Sequence, residues 1–324
     1  MRKFERFACI DWSGQAVARP KGLAVAECEN GDAAPQLVAR TNGWSREEIL
    51  SWMIEQANTE ADLIVGLDLS PALPFADADS YFPGASQQPS GARALWKLID
   101  ETCANEPHLG ASSFADHPAF APHFRRHGGR EGAVFGGGAG RFRAVEHRQR
   151  GSGVSPVSCF NLVGAAQVGK SSLTGMRVLH RLSGRVPVWP FDPVPARGPL
   201  IVEIYTSIAA RAAGVRKGRS KLRDGESLDV ALGVLGSKPH APLAKYDDHS
   251  TDAILTAAWL RAVAHDPTLW NPPGFDTVRR TEGWTFGARC RMGRDSAGLA
   301  QLVEHMICNL GVAGSIPAAG TIIQ

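Results

Sequence analysis

The chain has 324 residues, of which 44% are hydrophobic and 21% are charged, and its formal net charge is +3. This composition is typical of a soluble globular protein and not of a disordered one. No apolar run is long enough to cross a bilayer, and the first residues lack the apolar stretch of a secretory signal. We therefore expect no membrane partner.

The six cysteines are scattered, with no C-x-x-C pair and no close cysteine–histidine spacing. This pattern favours reduced, structural thiols and argues against a zinc site. It predicts a cytoplasmic location.

Three short strands are predicted at the start of the chain. Residues 7–12 form an apolar run that contains Asp11, and residues 22–27 and 36–40 follow it with turn residues between them. Strands so close in sequence leave no room for a crossover helix, so they are expected to form an antiparallel meander.

A helix with the capping box Ser45-x-x-Glu48 comes next, followed by a continuously apolar strand at 63–67 that ends at Asp68. Regular patterning is then lost between about residues 75 and 196, apart from helices near 92–103 and 175–182. A fifth strand is predicted at 199–204, and an amphipathic helix at 247–264.

This order of elements is that of an RNase H-like α/β fold. It predicts a mixed five-stranded sheet, made of an antiparallel meander and parallel strands, flanked by helices. The core would comprise residues 1–75 and 197–288. Residues 76–196 would form a large basic insertion rich in Gly, Pro and Arg.

Acidic residues stand at particular positions in these elements, and a histidine accompanies them: Asp11 on the first strand, Asp68 after the fourth, Glu203 on the fifth, and Asp248, His249 and Asp252 in the first turns of the last helix. Carboxylates in apolar strands are costly to bury unless a partner such as a divalent cation compensates their charge. Two cations about 3.5–4 Å apart promote phosphodiester hydrolysis. The pattern predicts a Mg²⁺ or Mn²⁺ site.

Several of these acids have a simpler interpretation. Asp247 is best explained as a helix N-cap, and Asp248 has the same alternative. Asp68 precedes Leu-Ser-Pro and fits a turn, and Glu203 fits an ion pair with an arginine. Asp11 has no such explanation, because an isolated aspartate does not stabilise a central strand.

Basic residues form two clusters. Seven arginines and three histidines lie between residues 123 and 150, and a second cluster without acids spans residues 216–223. Both clusters fit a polyanionic partner such as DNA or RNA, and both also fit a solvated loop. Arg141, Arg143 and Lys170 are the candidates for contacts with substrate phosphate.

Short motifs occur in a recognisable order: "IDWSG", "GLDLSPALP", "GRFRAVEHR", "VGAAQVGKSSLTGM", "VWPFD", "VEIYTS", "HSTDAILTAAWLRA" and "EGWTFGA". Together they resemble the domain of unknown function 429 family, described as predicted RNase H-like nucleases. The H-x-x-D-A piece is also similar to the active site of RuvC-type junction resolvases. The resemblance implies that Asp11, Asp68 and Asp252 ligate metal, assisted by His249 and Glu203.

Two alternatives rest on other motifs. Residues 164–171 match the phosphate-loop pattern G-x-x-x-x-G-K-[ST], which would make the protein an NTPase. The residues before this motif form a poor strand, however, and we interpret the match as accidental. "IDWSG" with "GLDLS" also resembles the phosphate-binding turns of sugar kinases and actin, which need a longer, duplicated chain. A non-catalytic nucleic-acid-binding protein is a further alternative.

The last segment, residues 289–324, has no evident packing role. Its sequence resembles the translation of a transfer-RNA gene. We expect it to be poorly ordered and dispensable for function.

Overall fold

A computed structural model describes residues 2–164, 167–215 and 222–289. The helices and strands follow one another in chain order: β1 Arg6–Asp11, β2 Ala24–Glu29, β3 Gln36–Leu37, α1 Arg46–Asn58, β4 Leu63–Asp68, α2 Ala92–Thr102, α3 Ser112–Asp116, β5 Arg125–Arg126, β6 Arg130–Glu131, α4 Ala144–Gly151, α5 Val168–Arg181, β7 Val188–Trp189, β8 Leu200–Glu203, α6 Thr206–Ala212, α7 Gly225–Val234 and α8 Asp248–Val263.

The main sheet is mixed and has the strand order β3-β2-β1-β4-β8-β7. β1, β2 and β3 pair antiparallel, and β1, β4, β8 and β7 pair parallel. The α/β class, the meander and the parallel strands are therefore confirmed. The carboxyl ends of β1, β4 and β8 meet at one edge of the sheet, which is where ligands bind in open α/β sheets.

Helices cover both faces of this sheet, because its central strands alternate between two apolar cores. Ala8 and Ile10 of β1 belong to a core with α1, α2 and α5. Phe7 and Cys9 belong to the core on the other face, which α6, α7 and α8 cover. Every side chain of β1 after Arg6 is thereby buried.

The sheet has six strands where five were expected, because Val188–Trp189 pairs with β8. The sequence conceals this strand, since two residues between prolines show no periodicity and edge strands tolerate proline. α5 is also longer than expected and packs on the core. A Cβ on Gly175 would lie 2.2 Å from Leu69 Cδ2. Residues 168–189 of the predicted insertion thus contribute a strand to the sheet and a helix to the layer that covers it.

The caps expected from the sequence are present. The Ser45 hydroxyl accepts a hydrogen bond from the Glu48 amide, and the Glu48 side chain accepts one from the Ser45 amide. Asp247 caps α8 by accepting a hydrogen bond from the Ser250 amide. The N-cap interpretation of Asp247 is therefore correct.

Three further expectations can be compared with the described residues. No helix among them is both long and apolar enough to cross a membrane. Their four cysteines, Cys9, Cys28, Cys103 and Cys159, are buried and unpaired with one another. Residues 290–324 and 216–221 lie outside the described ranges, and with them nearly all of the predicted tail and most of the second basic cluster.

Candidate functional site

A cleft of 480 Å³ opens at the carboxyl edge of the main sheet. Its wall combines residues that follow the three central parallel strands with residues of α4, of the first turn of α5 and of the first turn of α8. Among the predicted site residues it is lined by Asp68, Arg143, Lys170, Glu203 and His249.

Two aspartates stand side by side at the ends of β1 and β4. Asp11 and Asp68 are register partners on these parallel strands. Neighbouring strands lie about 4.8 Å apart, and partners in register project from the same face. By alternation from Cys9, that face is the one packed against α8.

The third aspartate comes from α8, one turn after the helix begins. Asp252 is 7% exposed, and its charge raises the pKa of two groups on the sheet. Burial raises the pKa of the Cys9 thiol, and the charges of Asp11, Asp68 and Asp252 raise it further. All three aspartates therefore lie near Cys9 on this face of the sheet.

The electrostatic result of this clustering is clearest at Asp68. Burial raises its pKa well above the usual range, and repulsion from Asp11 and Asp252 adds to the effect. The Thr206 hydroxyl donates a hydrogen bond of 3.4 Å to Asp68 Oδ2, which opposes the shift only in part. Burial and mutual repulsion thus make the fully ionised form of the cluster unfavourable.

His249 joins the cluster from the first turn of α8. Its Nδ1 lies 3.2 Å from Asp11 Oδ2, and its side chain is 45% exposed at the cleft. The imidazole ring lies on the backbone of Gly22, where a Cβ would be 2.9 Å from Nε2. Gly22, which precedes β2, therefore leaves the space in which the ring is held.

Asp248 lies on the same turn but has a different partner. Its Oδ1 forms an ion pair with Arg223 Nη2 at 2.9 Å. This contact and its place beside the Asp247 cap put Asp248 at the amino end of α8, whereas Asp252 points toward the sheet.

Glu203 does not join the three aspartates. Its register partner on β4 is Leu67, which belongs to the core on the opposite face of the sheet from Cys9. Glu203 Oε2 accepts a hydrogen bond from Arg143 Nη1 at 2.8 Å, and Oε1 accepts one from Arg143 Nη2 at 2.5 Å. The Thr285 hydroxyl also donates to it at 2.7 Å. The ion pair with an arginine, one of the two interpretations of this residue, is the one that the structure contains.

Arg143 is 1% exposed and has a structural role. Besides Glu203, its guanidinium donates to Glu146 Oε1 at 2.9 Å and to the Ser70 hydroxyl at 3.0 Å. The two carboxylates neutralise its charge, and its side chain forms the floor of the cleft. A contact between Arg143 and substrate phosphate stays a prediction.

Arg141 is likewise engaged within the protein. Its guanidinium pairs with the Asp77 carboxylate and donates to the carbonyls of Tyr81 and Ser80 at 2.9 and 2.8 Å. These contacts join two parts of the predicted insertion, and Arg141 is not among the residues that line the cleft. A contact between Arg141 and substrate phosphate stays a prediction.

Lys170 does reach the cleft, from the first turn of α5. The phosphate-loop pattern that contains it lacks the strand such a loop requires: Asn161 forms only an isolated bridge with Arg125. Gly169 has a local reason to be glycine, because a Cβ would lie 2.2 Å from the carbonyl oxygen of Cys159. Among the described residues, the sequence matches the phosphate-loop pattern, but the segment before it does not form the strand that such a loop requires.

The loop after β1 is held by a residue that the sequence did not single out. Arg46 is fully buried, donates to the Ser13 carbonyl at 2.8 Å, and also bonds the carbonyl of Gln15. Trp12 Nε1 donates to the Thr174 hydroxyl at 3.0 Å. The signal in the sequence is faint, since an arginine in the first turn of a helix is usually solvated.

The three aspartates supply oxygen ligands of the kind that Mg²⁺ and Mn²⁺ prefer. Within residues 2–164, 167–215 and 222–289, however, no group of three or more Asp, Glu, His or Cys side chains is already drawn together at metal-binding distance. The chemistry of the donors fits a divalent cation, and binding one would require side-chain adjustment.

Comparisons with family models, with curated proteins and with solved structures found no match.

Proposed function

We propose that the protein is a metal-dependent nuclease that hydrolyses phosphodiester bonds of nucleic acid in the cleft at the carboxyl edge of the sheet. The observation that carries the proposal is the clustering of Asp11, Asp68 and Asp252, with the resulting rise in the pKa of Asp68. Carboxylates clustered at the end of a buried strand are costly unless a function retains them.

The strand order supports an RNase H-like fold, in which a meander is followed by parallel strands on the other side of β1. The resemblance to the domain of unknown function 429 family agrees with this interpretation.

In this proposal Asp11, Asp68 and Asp252 hold Mg²⁺ or Mn²⁺, which supplies activation of water and neutralisation of charge on the leaving oxygen. Asp11 also orients the imidazole of His249 through Nδ1. Imidazole is the side chain that most often transfers protons in hydrolysis, so His249 holds or moves a proton at the cleft. The hydrogen bonds between Arg143 and Glu203 fix the floor of the cleft.

The test compares Asp11→Asn with Asp276→Asn, a control at an exposed aspartate. We expect wild type and the control to cleave a labelled oligonucleotide in Mn²⁺ and Asp11→Asn to lose cleavage. Mn²⁺ should also raise the melting temperature of wild type and leave that of Asp252→Asn unchanged. Full metal-dependent cleavage by Asp11→Asn would overturn the proposal.

A phosphate-loop NTPase is the second candidate, because Lys170 does open a helix beside the cleft. It predicts that wild type binds a fluorescent ATP analogue and that Lys170→Ala does not. We expect no such binding by wild type. Binding of polynucleotide without cleavage in any divalent metal would instead indicate a non-catalytic nucleic-acid-binding protein.

A further inference from the structure

A second, smaller cavity of 130 Å³ adjoins the cleft. Gly14 and Lys170 line both spaces, so these two residues form the boundary between them. Three further basic side chains line the smaller space, and we call it the basic cavity: Arg126, His127 and Arg130. One carboxylate, Asp116, stands against these basic groups.

Lys170 is the cation that the two spaces share. Its Nζ lies 2.8 Å from Nε2 of His127, and within the described ranges no carboxylate pairs with it. Burial lowers the pKa of this amine. A bound anion would reverse that effect, because a nearby negative charge favours the protonated form.

Arg126 and Arg130 are held together on the β5–β6 hairpin. They are register partners, and like charges directly opposite each other destabilise a hairpin. Asp116 bridges them, at 2.8 Å from Arg126 and 3.4 Å from Arg130. Arg126 Nε is buried and makes no hydrogen bond within the described part of the chain. A buried donor of this kind indicates a missing partner such as a ligand oxygen or a water.

The hairpin is fixed against the segment that leads into α5. The Arg125 amide donates to the Phe160 carbonyl at 3.0 Å, and the Leu162 amide donates to the Arg125 carbonyl at 2.9 Å. On the other side of the boundary, a Cβ on Gly14 would lie 2.4 Å from the backbone of Lys170. The two cavities are thus separated where Gly14 packs against the backbone of Lys170. The hairpin contacts hold Arg126 and Arg130 in place beside this boundary.

We infer that the basic cavity binds a phosphate of the nucleic-acid substrate other than the one being cleaved. Arg126 and Arg130 supply the fork of donors that phosphate oxygens accept, and Lys170 supplies a point charge between this phosphate and the scissile one. The inference rests on the proposed function, since it assigns the cleft to the scissile phosphate. The aspartates repel a phosphate in the absence of metal, so the basic cavity provides the binding that holds the strand in register.

The experiment measures equilibrium binding in EDTA, where no cleavage takes place. The probe is a fluorescein-labelled single-stranded oligothymidylate of about 12 nucleotides, which is within the usual range of site sizes. The variants are Arg130→Ala, Lys170→Ala and Asp116→Asn. The control is Arg185→Ala, an exposed arginine beyond the far end of the 14-residue helix α5, about 20 Å from Lys170.

We expect Arg130→Ala and Lys170→Ala each to weaken binding roughly tenfold at low salt. Each should also reduce the slope of log K against log salt by about 0.7, the value for one single-strand phosphate contact. Asp116→Asn should tighten binding, because it removes the one carboxylate of the cavity, and Arg185→Ala should leave binding unchanged. A merely structural role for Asp116 predicts weaker binding instead. Inorganic phosphate should compete with the probe for wild type. The inhibition constant of phosphate should be higher for Lys170→Ala than for wild type, because phosphate loses the same cation.

Unchanged affinity and slope in both Arg130→Ala and Lys170→Ala, with melting temperatures equal to wild type, would overturn the inference. If wild type cleaves nucleic acid and these variants bind normally, the subsite is wrong and the nuclease proposal stands. If wild type never cleaves but binding depends on Arg130 and Lys170 as expected, the nuclease proposal is wrong and the anion site remains.

Discussion

Asp11 and Asp68 are register partners at the ends of two adjacent parallel strands, and α8 brings Asp252 to the same face of the sheet. Two carboxylates at neighbouring positions of a sheet repel each other, and a third increases the repulsion.

Asp68→Asn should stabilise the metal-free protein at neutral pH. The pKa of Asp68 is raised in the folded state, so its favourable contribution is complete below the unfolded value of about 3.9 and is lost as the pH rises through the folded value. Removing the charge should increase the free energy of unfolding by about 1–2 kcal/mol at pH 8 in EDTA. Urea denaturation at pH 4 and pH 8 measures this.

Asp276→Asn is the matched control, because the Asp276 side chain is 74% exposed and should show no such gain. The prediction would be contradicted if the free energy of unfolding of wild type, relative to that of Asp68→Asn, increased from pH 4 to pH 8.

Gly22→Ala should reduce catalysis without abolishing metal binding. The new methyl group would lie 2.8 Å from Cε1 of His249, so the imidazole must shift from the position in which Nδ1 lies 3.2 Å from Asp11 Oδ2. We expect kcat to fall by about 100-fold, as when a positioned proton-transfer group is lost, while the Mn²⁺-dependent rise in melting temperature persists. Steady-state kinetics and thermal melting measure the two effects. Unaltered kcat would indicate that the position of His249 is unimportant.

Arg143→Met should destabilise the fold, because it leaves Glu203 and Glu146 buried without their cation. Breaking a buried ion pair on one side costs about 3–5 kcal/mol. Adding Glu203→Gln to the same chain should recover part of that loss, since it removes one uncompensated charge. A double-mutant cycle in urea measures the coupling, and additive effects of the two changes would contradict direct pairing.

Arg46→Lys should loosen the loop after β1. Lysine keeps a positive charge but lacks the planar fork that reaches the carbonyls of Ser13 and Gln15 together. We expect a loss of about 1–2 kcal/mol in stability and faster hydrogen exchange at the amides of residues 13–15. Exchange as slow as in wild type would show that other contacts hold the loop.

Much of the fold could be predicted because the central strands carry a strong apolar pattern. Residues 63–67 and 199–204 were located to within one residue, and the proximity of Asp11 to Asp68 follows from the fact that parallel strands end at one edge. β7 could not be predicted, since a two-residue strand has no period to recognise.

The partners of the charged side chains were the least predictable part of the site. Arg143 and Glu203 are 60 residues apart in the chain, and nothing local in the sequence shows which carboxylate an arginine will meet. Arg141 and Arg143 stand in one basic run, yet each is engaged by a different acid within the protein. Composition indicates that positive charge is present, and only tertiary contacts show which of it remains open to a ligand.

The Arg143–Glu203 pair also limits which segment of the chain could be deleted. A shortened chain that joined β4 directly to β8 would keep all three clustered aspartates, yet it would remove both the guanidinium that neutralises Glu203 and the helices α2 and α5 that cover this face of the sheet. A neutral residue at 203 would compensate only for the first loss. Deleting the residues between β4 and β8 therefore does not yield a minimal version of this protein.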